Sequence, residues 1–200
     1  MMRIDMKQLL TTLLKFIFRV LAAIVIDVAL VFLVGYIYVY EYSSYGRTLK
    51  AYAIYAELLT TTGQTEHSLP LRVVDSPSIN AYNDGQEIVL YTGLINETES
   101  WDEVALVLGH EIAHGTLGHL NEHPPVPDQL PDSGMGPNDY ISILEANADK
   151  LGAVYMMKAG YDVCKGREIM LRWEKQNGNA LGESHPDYAY RYSELNINCQ

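Results

Sequence analysis

The sequence predicts a mainly α-helical domain with one small β-sheet, an α+β arrangement, behind a single apolar N-terminal helix. Three observations carry that prediction. Residues 20–40 are apolar but for one aspartate, helical periodicity fills most of residues 43–200, and strand-like stretches are confined to about residues 70–91. With 200 residues the chain holds one domain of ordinary size plus an appendage. The divisions are 1–19, 20–40 and 43–200.

The appendage, "VLAAIVIDVALVFLVGYIYVY", occupies residues 20–40. As a helix it extends roughly 30 Å, the thickness of a bilayer's hydrocarbon core. Tyr36, Tyr38, Tyr40 and Tyr42 crowd one end, as aromatic residues do at a membrane interface. Arg3, Lys7, Lys15 and Arg19 flank the other end, against Arg47 and Lys50 beyond the span. The positive-inside rule then puts the N-terminus in the cytoplasm and residues 43–200 outside, periplasmic in a bacterium; the opposite orientation is the alternative. No small-residue cleavage pattern follows, so the segment reads as an uncleaved signal-anchor of a single-pass cell-membrane protein in contact with lipid. A buried helix of a soluble fold is the competing reading. Asp27 is its one costly residue, by about 3 kcal/mol at mid-membrane.

The elements of the domain follow in order. "YGRTLKAYAIYAELLTTTG" reads as a helix with Leu49, Tyr52, Ala53, Ala56 and Leu59 on its apolar face and Gly63 as its stop. "LRVVDS" is a short strand, and "INAYNDGQEIVLY" a hairpin turning at Asp84-Gly85. Ser100 and Glu103 form a capping box for the helix through "VALVLGHEIAHGTLGHL", whose thick apolar body implies burial on most sides. Residues 121–139 hold five of the eight prolines, so they form a loop, with a lid as its functional reading. A helix follows from a cap at Asn138 or Asp139 to Gly160. Another runs through "KGREIMLRWEKQNG", and a short one through "SHPDYAYRYSEL" is entered at Pro186.

The charge is −11, from 14 basic and 25 acidic residues. It is uneven: residues 1–40 hold four basic and two acidic residues, +2, and residues 41–200 hold ten and 23, −13. Between Ala51 and Asp149 the only Lys or Arg is Arg72. Such a field excludes nucleic acid as a partner, which requires clustered basic residues. Cys164 and Cys199 are too far apart for a CxxC motif, leaving a disulfide in an oxidising compartment or two free thiols.

The chemistry concentrates in "HEIAH", residues 110–114. His110 and His114, four apart on a helix, share a face and can converge on one Zn²⁺. Glu111 then projects toward a water at the ion rather than toward the ion itself. Three residues compete to be the third ligand. His119 is five residues after His114, off the six-residue spacing of a third histidine ligand, and Cys164 stands alone. Glu145, in "EANAD", is the strongest, with Asp149 four residues on along the same face to accept a ligand histidine's free ring N–H. His119 and His123 are also four apart, but Pro124 and Pro125 end the helix there, and His67 sits in a polar turn.

"HEIAH", "EANAD", "SHPDYAYR" and the hairpin segment "INAYNDGQEIVLYTGLI" together resemble the gluzincin zinc metallopeptidases of the HtpX, Oma-type, BepA-like and CAAX prenyl protease group. The resemblance covers roughly residues 70–195. It departs in having a single predicted span and a short proline-rich connection between His114 and Glu145. It implies a zincin-like domain, one Zn²⁺ on His110, His114 and Glu145, and endopeptidase activity on polypeptides, including unfolded, membrane or envelope proteins, in protein quality control. Glu111 would be the general base, Asp149 the partner of a ligand histidine, and His185 and Arg191 would face the tetrahedral oxyanion. Asn80 and Ala81 would hold substrate as an added strand. The competing class is a catalytically silent, membrane-tethered binding or chaperone module that keeps the zinc fold.

Overall fold

A computed structural model describes residues 6–119, 137–177, 188–195 and 199. The chain divides into two compact units, Met1–Arg47 and Thr48–Gln200.

The first unit is dominated by α1 (Met6–Tyr42). Its stretch Leu9–Val39 has a mean hydropathy of 2.7 and buries none of that apolar window in the chain. Phe16, Phe18 and Phe32 are 65%, 73% and 75% exposed. The helix is therefore long and apolar enough to cross a membrane, and it contains the whole of residues 20–40.

The helix α2 (Ser44–Thr62), all but its first four residues in the second unit, ends where Gly63 takes the left-handed conformation (φ 72°), as expected. Its buried face is not the one expected. Ala51, Ile54, Tyr55, Leu58 and Leu59 are buried, whereas Leu49, Tyr52, Ala53 and Ala56 are exposed. Both stripes have helical spacing, and the one carrying Ile54 and Leu58 removes more aliphatic surface from water.

Three strands follow: β1 (Leu71–Val74), β2 (Ala81–Asn83) and β3 (Ile88–Tyr91). The order is β1-β3-β2, with β3 parallel to β1 and antiparallel to β2. β3 is central and its Ile88, Val89 and Leu90 are buried. In the hairpin turn, Gly85 has φ 81° and the Asp84 carboxylate accepts from the N–H groups of Gln86 and Glu87, each at 2.8 Å. A short helix the periodicity did not reveal, α3 (Thr92–Glu97), leads on. At its start a Cβ on Gly93 would fall 2.3 Å from the Pro77 carbonyl oxygen, so glycine lets the loop before β2 lie flat against it.

The centre of the unit is α4 (Trp101–Leu117). Ser100 caps it, accepting from Glu103 N–H, while the Glu103 carboxylate accepts from Glu99 N–H at 2.7 Å. Every residue from Glu103 to His114 is buried. The helix stops at Leu117, with Gly118 left-handed (φ 75°), so His119 lies beyond it rather than on its last turn. α5 (Pro137–Lys158) already includes Asn138 and Asp139, the expected caps, in its first turn and ends before Gly160 (φ 88°). α6 (Val163–Gly166), α7 (Glu168–Asn177) and α8 (Tyr188–Glu194) complete the unit. The segment expected as one helix falls into two, α6 and α7, with Arg167 between them, and Asp162 caps α6 by accepting from Cys164 N–H. Cys164 and Cys199 are joined in a disulfide, Cα–Cα 5.5 Å. Residues 120–136, which hold most of the proline-rich loop, and His123, His185 and Pro186 lie outside the described residues.

Candidate metal centre

His110 and His114 sit one turn apart on α4, and their rings meet edge to face with Nε2 atoms 2.8 Å apart. The partner helix α5 brings in Glu145, whose Oε2 is 3.4 Å from His110 Nε2 and Oε1 3.2 Å from His114 Nε2. All three residues are buried. Four ligands placed tetrahedrally at zinc bond lengths are about 3.3 Å apart, so the three separations suit donors around one such ion. Two imidazole nitrogens and a carboxylate are also the donor types of an open, water-accepting zinc site. The charges agree. Glu111, Glu145 and Asp149 are buried carboxylates with one buried guanidinium, Arg191, among them. That leaves an excess of buried negative charge that a dication offsets.

The approach of the two helices depends on glycines that periodicity does not single out. A Cβ on Gly152 would lie 2.6 Å from His110 N, and one on Gly109 would lie 2.8 Å from the Gly152 carbonyl oxygen. Helix-interior glycine costs about 1 kcal/mol relative to alanine. An isolated glycine in a helical pattern is the only sequence signal that could have pointed to this contact.

Behind these three candidate donors lies a buried network. Asp149 Oδ1 is 2.8 Å from His110 Nδ1, and Arg191 grips the same carboxylate from the other side, Nε to Oδ2 at 2.6 Å and Nη2 to Oδ1 at 2.8 Å. Arg191 Nη1 also lies 3.1 Å from Glu145 Oε2. Burial alone would raise the Asp149 pKa, but the Arg191 guanidinium outweighs it and holds the carboxyl down at about 2. For His110, burial favours the neutral ring, and the Asp149 and Glu145 carboxylates overcome it, lifting the metal-free imidazole to about 10. The Arg191 guanidinium lies against the carboxylates of α5, is 4% exposed, and lines the same pocket as Glu111. Only its downstream position, not its contacts, was readable.

Glu111 is 2% exposed and, with His110, lines a pocket. One wall is Ile79, Asn80 and Ala81 at the edge strand β2, and apolar walls come from Leu106, Met170 and Trp173. Asn83, two residues beyond Ala81 on β2, is buried; its Nδ2 donates to the Glu111 carbonyl at 2.9 Å while its Oδ1 accepts from Gly85 N–H at 2.9 Å. It ties the hairpin to the backbone of the HExxH turn, a tertiary contact without a local signal. Cys164 is in the disulfide and is no ligand. His119 Nδ1 stands 3.2 Å from His114 Nδ1.

An HExxH helix crossed by a second helix that supplies a third, carboxylate donor is the arrangement of a gluzincin-type metallopeptidase site. Comparison with known proteins agrees. Residues 48–125 match the family model for peptidase family M48. The chain is 28% identical over 147 residues to the mitochondrial metalloendopeptidase OMA1 of Arabidopsis thaliana, covering 57% of this chain and 28% of that protein. It is 32% identical over 125 residues to the mitochondrial metalloendopeptidase OMA1 of Homo sapiens, covering 46% and 24%. To the Bos taurus protein of the same name it is 28% identical over 156 residues, covering 62% and 29%. The chain thus spans under a third of the length of these curated relatives. No solved structure matches it. Over these stretches the chain is similar to the metallopeptidases of the M48 type.

Proposed function

We propose that the chain is a zinc-dependent endopeptidase that hydrolyses peptide bonds in polypeptide substrates. The observation that carries this reading is the meeting of His110, His114 and Glu145 from two helices, with Glu111 buried beside them and lining the pocket. When bound there, Zn²⁺ supplies Lewis acidity toward a carbonyl and toward water. Glu111 takes the proton from the attacking water and delivers it to the leaving amine. Asp149 accepts the His110 Nδ1–H and so leaves Nε2 free to ligate. Arg191 holds Asp149 and Glu145 in place, acting through them instead of touching the oxyanion, and His185 remains the proposed oxyanion contact.

Asn80 and Ala81 border the pocket at the sheet edge, so an extended substrate adds to β2 by backbone hydrogen bonds while the apolar wall receives a large side chain beside the scissile bond. Residues 20–40 anchor the protein in a membrane, with residues 43–200 on an oxidising, extracytoplasmic side; the apolar surface of α1 and the Cys164–Cys199 disulfide support this. Clearing unfolded membrane or envelope proteins is the quality-control role that fits recognition through backbone.

The full chain in detergent should cleave casein, lose activity to a chelator and regain it with zinc. Glu111→Gln should abolish cleavage while one zinc stays bound. A zinc-loaded but inert wild-type protein would favour the binding module instead.

A further inference from the structure

We propose that His119 is a positioning residue that fixes the ring and tautomer of His114. The inference rests on the zinc site proposed above. It begins with "HGTLGH", residues 114–119, where the helix ends in a Schellman turn. Gly118, left-handed, donates its N–H to Gly115 O at 3.3 Å, and His119 donates its N–H to His114 O at 2.8 Å. The apolar contact that commonly closes such a turn is replaced here by two imidazoles, ring centroids 5.3 Å apart, with Nδ1 atoms 3.2 Å apart.

The protons follow from valence. His114 Nε2 faces His110 Nε2 at 2.8 Å and Glu145 at 3.2 Å, so as a ligand it offers a lone pair there. A neutral imidazole then carries its one proton on Nδ1. That N–H donates to His119 Nδ1, which must be unprotonated, leaving the His119 proton on its own Nε2. His119 therefore stands behind the ligand ring, on the side away from the ion, and takes for His114 the part that Asp149 takes for His110. The five-residue spacing that makes His119 a poor ligand is the spacing a Schellman turn needs to fold it back onto His114.

The test uses the full chain in detergent. His119→Leu should weaken zinc binding about ten- to a hundredfold in a chelator competition and shift the visible spectrum of the Co²⁺-substituted protein. His119→Asn, which keeps an oxygen acceptor close to the Nδ1 position, should restore both. Zinc affinity and Co²⁺ spectrum unchanged in His119→Leu would overturn the inference, as would an Asn variant no better than Leu. Ring-nitrogen NMR of the zinc-loaded wild-type protein needs no variant: His114 protonated on Nδ1 and His119 on Nε2 is expected, and the reverse for either overturns it. A wild-type chain that binds no zinc would instead refute the zinc site itself.

Discussion

Gly109 and Gly152 meet backbone to backbone where α4 crosses α5, one residue before His110 and three after Asp149. Neither helix can gain a Cβ there without being pushed away, and His110 and His114 would separate from Glu145. Gly152→Ala should cost about 1–3 kcal/mol of stability by overpacking and weaken zinc binding in the same variant. Denaturant unfolding and zinc titration measure the two effects. Full stability with full affinity would mean the crossing has slack.

Asn83 joins the hairpin to α4 through the Glu111 carbonyl. Asn83→Leu should lose about 1–3 kcal/mol by removing both hydrogen bonds of a buried amide, to the Glu111 carbonyl and from Gly85 N–H. If the edge strand binds substrate, KM should rise more than kcat falls. Thermal unfolding and steady-state kinetics separate the two consequences.

Acid should act through Asp149. Its pKa is depressed in the fold to about 2 from the ordinary 3.8, burial opposing the shift and Arg191 driving it. Below its unfolded pKa the unfolded chain binds the proton first. The stabilisation is therefore complete above about pH 4 and lost as pH falls toward 2, on the order of 2 kcal/mol. In zinc-free protein, Asp149→Asn should flatten the stability curve in that window. An unaltered slope would refute the assignment.

The disulfide closes a loop between residues 35 apart that includes α7 and α8. In the chain-entropy model such a crosslink is worth about 4 kcal/mol. Reduction, or Cys199→Ser, should lower the melting temperature, and mass shifts after thiol labelling with and without reductant confirm the bond. Equal melting temperatures would show that the crosslink contributes nothing.

The apolar wall beside Glu111 predicts what is cut. Bonds flanked by Leu, Met or Phe should dominate the casein products, and Met170→Ala should admit Trp about tenfold better. Mass-spectrometric mapping of cleavage sites decides this. Random sites would leave recognition to the backbone alone.

What could be read from the chain was what depends on spacing. The i,i+4 histidines, the Ser100 cap, the glycine stops and the Glu145–Asp149 face all follow from helix geometry, and all describe single elements. The face of α2 was misread because alanines and tyrosines give it two apolar stripes, and only the neighbours decide which is covered. Asn83, the Gly109–Gly152 crossing and the inward turn of Arg191 join elements distant in sequence, where no local pattern exists. The spacing of His119 said nothing of its contact with His114, which required knowing that α4 stops at Leu117.

The burial of α4 from Glu103 to His114 sets a limit on how this protein can change. The rod that carries the reactive groups is also the axle of the domain, so almost any substitution along it disturbs fold and chemistry together. Divergence in what such a domain accepts has to arise around that axle, at the hairpin rim and along α7, where side chains can vary while the centre stays still.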